Sequence, residues 1–153
     1  MLDVSQIAPD FSLPRDGGET VSLSDQLPNS VVLFFYPRAD TGGCTKEAMA
    51  FTELAADFEK AGARVFGISK DPVKKLEKFR DKHSLGVPLL SDEHSDVCEQ
   101  YGVWKEKSMY GKTYMGIERS TFLVGSSGEI IQMWPKVKVP GHAEAVLEVV
   151  KAL

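Results

Sequence analysis

A cysteine that follows a threonine and two glycines, where a strand hands over to a helix, is the residue of this chain best placed to do chemistry. The segment Tyr36-Pro37-Arg38-Ala39-Asp40-Thr41-Gly42-Gly43-Cys44 runs from an apolar strand end into a helical start. Open α/β sheets place their binding sites at such strand-to-helix turns. Cys44 falls in the first turn of the helix, where unpaired N–H groups and the helix dipole favour an anion, so the position suits a thiolate nucleophile. Gly42 and Gly43 let the backbone turn tightly and approach a small ligand closely. Thr41 brings a hydroxyl to the helix entry, where it also fits as an N-cap. An ordinary cysteine is a few per cent thiolate at neutral pH, so complete ionisation gains only about tenfold or a little more. Enzymes accelerate reactions by ~10⁶-fold or more. The remainder must come from donors aimed at the atoms on which charge develops. Arginine suits that task, being permanently charged and a fixed fork of N–H groups, and Arg119, at the start of a late strand, is the candidate.

The rest of the chain is an ordinary globular frame for such a site. Its 153 residues, 42% apolar and 26% charged, fit one domain over residues 1–153 with one core. A net charge of −4, spread along the chain without a basic patch, speaks against nucleic acid as a partner. No apolar run approaches the ~20 residues of a bilayer span, which speaks against a membrane. Met1-Leu2-Asp3-Val4-Ser5 has neither a basic n-region nor an apolar h-region, so the reading is a cytoplasmic protein. Two cysteines, Cys44 and Cys98, are too few for a disulfide scaffold, and in a reducing compartment such thiols are either packed or catalytic. His83, His94 and His142 are scattered without ligand spacing, so no metal is expected, and His142 reads as a surface residue.

Periodicity gives the elements that must hold the site. Phe11 to Leu13 and Thr20 to Leu23, joined by Arg15-Asp16-Gly17-Gly18, predict an N-terminal β-hairpin. Val31 to Tyr36 is a continuous β-branched and aromatic run, a strand buried on both faces. Cys44, Ala48, Phe51, Ala55 and Phe58 form one helical stripe that Gly62 ends. A strand follows over residues 64–69. A helix then opens at Pro72, read as a first helical position, with Leu76 and Phe79 inward. Pro88 to Leu90 reads as a strand, Ser95 to Tyr101 as a short helix, and Ser120 to Val124 with Ile130 to Trp134 as a hairpin. The last helix, from His142, is predicted to bury Ala145, Val146, Val149 and Leu153. Lys105 to Gly116, polar and with two glycines, is read as a long loop, with Lys105-Glu106-Lys107 solvated or, as the alternative, flanking the entrance to the site. The order predicts an α/β fold with a mixed central sheet and helices on both faces.

Pro37-x-x-x-Thr41-x-x-Cys44 resembles the active-site motif of the peroxiredoxins, and Arg119 matches the place of that family's catalytic arginine. The similarity is closest to the bacterioferritin-comigratory, or Q-type, branch, and it covers nearly the whole chain. Ala8-Pro9-Asp10-Phe11, Ser91-Asp92, Tyr101-Gly102-Val103-Trp104, Gly111-Lys112 and Gly116-Ile117-Glu118-Arg119 carry it. The resemblance implies a thioredoxin-like fold and thiol-dependent reduction of hydrogen peroxide and organic hydroperoxides, with no metal and no bound organic cofactor. It implies that Cys44 attacks the peroxide, that Thr41 and backbone N–H groups hold it, that Arg119 activates it and that Pro37 shields the sulfur. Glu47 matches a family glutamate that orients the site, and its place in a first helical turn equally suits the dipole alone. A monomer is implied, reduced by thioredoxin, glutaredoxin or glutathione.

The sequence also departs from that branch. Many members carry a resolving cysteine five residues after the first, where this chain has Met49. Gly42 stands where a proline often follows the motif threonine. Cys98, beside Val97 and Tyr101, reads mainly as a packed thiol, with a resolving role as the alternative. A one-cysteine cycle with an external thiol is therefore expected, and a two-cysteine cycle through Cys98 stays open. A thiol–disulfide oxidoreductase would want a second cysteine at position 47, which is Glu47. A redox sensor or holdase on the same fold is the remaining alternative.

Overall fold

The computed structural model describes residues 2–153. Its centre is the apolar run read above, now β3 (Ser30–Phe35), which β4 (Ala63–Ser69) flanks in parallel on one side. On the other side runs β8 (Ser120–Val124), antiparallel. With β5 (Leu89–Ser91) and β9 (Ile130–Trp134) at the edges, the order is β5-β4-β3-β8-β9. The sheet is mixed, as expected. The N-terminal hairpin pairs β1 (Ser12–Pro14) with β2 (Thr20–Ser22).

Period-two alternation along β3 divides the interior into two cores. Val32, Phe34 and Tyr36 face a core shared with α1 (Gly42–Lys60), α2 (Val73–His83) and α4 (His142–Lys151). Phe34 stacks on Phe51 of α1 with ring centroids 4.6 Å apart. Gly67 on β4 makes room for that packing, since a Cβ there would lie 2.7 Å from the Phe34 ring. Val31, Leu33 and Phe35 face the other core, covered by α3 (Val97–Gln100), Tyr101 and the N-terminal segment around Phe11 and Leu13. Helices lie on both faces, three on one and a single turn on the other.

Four expectations change. Lys105 to Gly116 is not a loop. It is an antiparallel ribbon of β6 (Trp104–Met109) and β7 (Lys112–Ile117), turned at Tyr110 and Gly111, both at positive φ (53° and 78°). That pair of angles suits a two-residue hairpin turn. His142 is buried, not a surface residue, with its ring edge-on to Phe51 and Trp134. Helix α4 buries Ala143, Val146, Leu147 and Val150, so its inward face is rotated from the expected one and Ala145 and Leu153 are exposed. Pro72 precedes α2 with extended backbone instead of opening it.

Candidate active site

The chain leaves β3 through a loop that two carboxylates hold in place. Asp71, just past β4, accepts from the Ala39 N–H at 2.7 Å and the Ser69 hydroxyl at 2.8 Å. Asp40, at φ 61°, accepts from Lys82 Nζ at 2.9 Å and lies 2.8 Å from His83 Nε2, both at the end of α2. The start of α1 is thereby fixed against α2 and β4. Thr41 occupies the N-cap position, but its side chain does not cap. Its hydroxyl donates to the Arg38 carbonyl at 2.9 Å. The first N–H groups of α1, which have no partner within the helix, are left without a side-chain acceptor.

Cys44, the third residue of α1, is 1% exposed. Its sulfur lies at a cleft of about 560 Å³ with Pro37, Arg38 and Thr41 on one side and Trp104, Lys107 and Arg119 on the other. Arg119 immediately precedes β8, so the strand pairing with β3 brings it back over the sulfur. Its Nη2 donates to Cys44 Sγ at 3.3 Å and its Nη1 to Glu47 Oε1 at 2.8 Å. The guanidinium is held as a bridge between the Cys44 sulfur and a carboxylate one helical turn further on. Gly43 eases this approach, because a Cβ there would meet Arg119 Nη2 at 3.2 Å and the guanidinium would have to give by a few tenths of an ångström.

Glu47 is 1% exposed, and its second oxygen has no partner among the described residues. Burial pushes its carboxyl up to about 7, against the pull of the Arg119 charge. Behind it, Thr121 Oγ1 and His142 Nε2 share a hydrogen bond of 2.8 Å. Burial, and then the charge of Arg119, push His142 down to about 4. A second hollow, about 460 Å³ and bordered by Tyr101, Phe122 and Trp134, contains no cysteine. Among the described residues no three His, Cys, Asp or Glu side chains gather as metal ligands do.

This constellation can be set beside known proteins. Residues 4–133 match the model of the AhpC/TSA family. Peroxiredoxin Bcp of Escherichia coli K12 is 45% identical over 150 residues, covering 98% of this chain and 96% of that one. This chain belongs to the peroxiredoxin family. Within it the likeness is to the Bcp/PrxQ branch, and this peroxiredoxin is a thiol-dependent peroxidase. The bacterioferritin comigratory protein of Xanthomonas campestris, described by its alkyl peroxide reduction activity, superposes with a TM-score of 0.91 at 42% identity, covering 98% of each chain. A PrxQ cysteine-to-serine variant from Xylella fastidiosa superposes with a TM-score of 0.94 at 38% identity, covering 99% of this chain and 97% of that one. The fold is the thioredoxin-like one that the sequence resemblance implied.

Of the residues singled out from sequence, the structure gathers Pro37, Thr41, Cys44, Glu47 and Arg119 at one place. It leaves Cys98 elsewhere. Cys98 is fully buried in the core on the opposite face of the sheet. Its N–H donates to Asp92 Oδ2 at 2.8 Å, and burial followed by the Asp92 charge pushes its thiol far up. Met49 is exposed on α1. No role at the site was expected of Asp71; Lys107, read as solvated or as flanking the entrance, lines the cleft, on a strand and not in a loop. Asp71 shows no motif, only a carboxylate two residues past a central strand. The signal for Lys107 was the Tyr110-Gly111 turn, which folds a polar stretch back beside Cys44.

Proposed function

We propose that Cys44 is the peroxidatic residue and that the peroxiredoxin runs a one-cysteine cycle on hydrogen peroxide and organic hydroperoxides. The observation that carries this reading is the 3.3 Å contact from the Arg119 guanidinium to the Cys44 sulfur. A cationic donor there favours the thiolate and then meets the charge that passes to oxygen as the O–O bond breaks. Thr41 already donates to the Arg38 carbonyl, so its oxygen keeps lone pairs to accept from the peroxide O–H. The uncapped N–H groups of α1 and the remaining N–H groups of Arg119 supply donors to the peroxide oxygens. Pro37 walls the cleft and limits water at the sulfur. Glu47 holds the guanidinium in register, and is a positioning residue.

The step balances simply. The Cys44 thiolate attacks the near oxygen, the O–O bond breaks, and the far oxygen takes a proton and leaves as water or an alcohol. Cys44 becomes a sulfenic acid. Two external thiols then return it to the thiol, releasing water and their own disulfide. The opposite-face placement and raised thiol of Cys98 support an external reductant over a Cys44–Cys98 disulfide. Thioredoxin, glutaredoxin and glutathione are the reductant classes the cycle admits. The peroxiredoxin is taken to work as a monomer, since one chain by itself brings Pro37, Thr41, Cys44, Glu47 and Arg119 together and needs no residue from a second copy. Two free, unbridged thiols suit the reducing cytoplasm. The unit is the whole chain, residues 1–153, as one domain.

Steady-state peroxide consumption with a thiol donor tests the reading. Turnover is expected to disappear in Cys44→Ser and to persist in Cys98→Ser. Persistence in Cys44→Ser would refute it.

A further inference from the structure

The cleft above Cys44 is cationic in a chain whose net charge is −4. Most of its charges already have partners. Lys70 pairs with Asp92 at 3.2 Å and Glu99 at 2.7 Å and lies over the Trp104 ring. Arg119 pairs with Glu47. The one carboxylate of the lining, Asp71, accepts from Ala39 and Ser69. Arg38 and Lys107 differ, since among the described residues no carboxylate lies within 4 Å of either; Arg38 is exposed at the rim, whereas Lys107 is half-buried.

Its stem explains how it stays there. Gly116 stands beside it on β7, and a Cβ at that position would meet Lys107 Cδ at 3.2 Å. The bare backbone lets the stem lie against the ribbon within the cleft. Burial and then the Arg119 charge hold the Lys107 ammonium below its usual range, while Cys44 and Glu118 pull it the other way. Two cations sharing a partly dehydrated cleft repel each other until an anion joins them. In the cycle proposed above, the attacking thiolate is that anion. Once Cys44 is a sulfenic acid the negative charge is gone, and the cleft draws an anion most strongly when a reductant must enter.

We propose that Lys107, with Arg119, forms an anion subsite that selects small thiols bearing a carboxylate a few bonds from the sulfur as direct reductants of oxidised Cys44. This rests on the sulfenic acid cycle above. The thiol sulfur bonds to the Cys44 sulfur, the S–O bond breaks, and the hydroxyl leaves as water with the thiol's proton. A second thiol then attacks the mixed disulfide, freeing Cys44 and carrying away the first thiol as a small disulfide. Lys107 acts as a specificity-determining residue and does not itself react.

The test oxidises the full chain with one equivalent of peroxide and measures reduction by mercaptopropionate, mercaptoethanol and cysteamine at low salt, each rate taken per thiolate. Reversing a unit charge near one lysine corresponds to roughly tenfold in rate. Wild type is expected to prefer the anionic over the cationic thiol by about that factor. Lys107→Gln should bring the ratio near one, Lys107→Glu should invert it, and Lys107→Arg should keep it. Each charged thiol's rate is referred to that of the neutral thiol in the same variant, and thermal unfolding certifies the fold. A wild-type ratio near one, or a ratio unchanged in Lys107→Gln, overturns the proposal. So does an effect confined to sulfenic acid formation from a carboxylate-bearing hydroperoxide, which would assign the subsite to the peroxide. If dimedone captures no sulfenic acid at Cys44, the underlying cycle has failed instead.

Discussion

Cys44 and Cys98 differ less in burial than in the sign of what lies beside them. Both are buried, and both lie in the first turn of a helix, where a thiolate is expected to gain from the backbone donors. At α3 those donors are already used. Asp92 accepts from the Val97 and Cys98 N–H groups at 3.1 and 2.8 Å and places a carboxylate against the thiol. At α1 the N-cap hydroxyl turns away, the donors stay free, and a guanidinium takes the place the carboxylate holds at α3. A helix start is thus an anion site only where no resident anion fills it. Burial supplies the low dielectric that magnifies either neighbour.

The comparison can be broken most sharply by alkylation. Cys44 should react with iodoacetamide at least ~10²-fold faster than Cys98 in the native chain, because a guanidinium donates directly to the Cys44 sulfur while at Cys98 burial and the Asp92 carboxylate outweigh the more distant Lys70. Peptide mapping after timed quenching reads both sites, and equal rates would erase the distinction. Removing the cation comes next. Arg119→Met should lower kcat/KM for peroxide by roughly 10²- to 10³-fold, leaving Cys98 labelling unchanged.

The third effect is on stability, measured by urea unfolding from pH 4 to 7. Glu47 has its folded value raised from 4.5 to about 7, so between those values the folded chain holds a proton that the unfolded chain releases. Stability from this group therefore falls as pH rises through that window. His142 is lowered from 6.5 to about 4, so there the unfolded chain holds the extra proton, and stability rises with pH. The two oppose each other from about 4.5 to 6.5. Glu47→Gln should leave a rising slope on the order of 1–2 kcal/mol across it, discounted for residual solvent. His142→Gln should leave a falling one. Identical profiles in both variants would contradict the assignment. The smallest effect is Gly43→Ala. Its Cβ at 3.2 Å from Arg119 Nη2 should lower kcat/KM roughly three- to tenfold. Thermal unfolding should show it no less stable than wild type, since alanine suits a helix better than glycine by about 1 kcal/mol.

Much of this was legible before the structure, for physical reasons that also mark where legibility stops. The run 31–36 reads as a doubly buried strand and Thr41-Gly42-Gly43-Cys44 as its turn into a helix, so the place of Cys44 followed from local pattern. Arg119 and Glu47 were named as candidates, yet their bridge joins positions 72 apart and needed the β3–β8 pairing to close. The ribbon at 104–117 was missed because much of it is solvated, so no apolar alternation marks its strands. Its one signal was a tyrosine and a glycine at positive φ. His142 was misplaced because its burial comes from α4 docking on α1 and β9, a tertiary event that its polar neighbours Gly141 and Glu144 do not announce. Lys107 shares the first of these, although its place at the site entrance had been an open alternative. It is polar, on the ribbon, and positioned only by the partner strand.

The account turns on Cys44 alone carrying the oxidation. Its most direct test is mass spectrometry of the intact chain and its peptides after one equivalent of hydrogen peroxide in the presence of dimedone, with no reductant added. The account predicts a single adduct on Cys44 and a free thiol at Cys98. An intramolecular disulfide as the main product, or an adduct on Cys98, would contradict it.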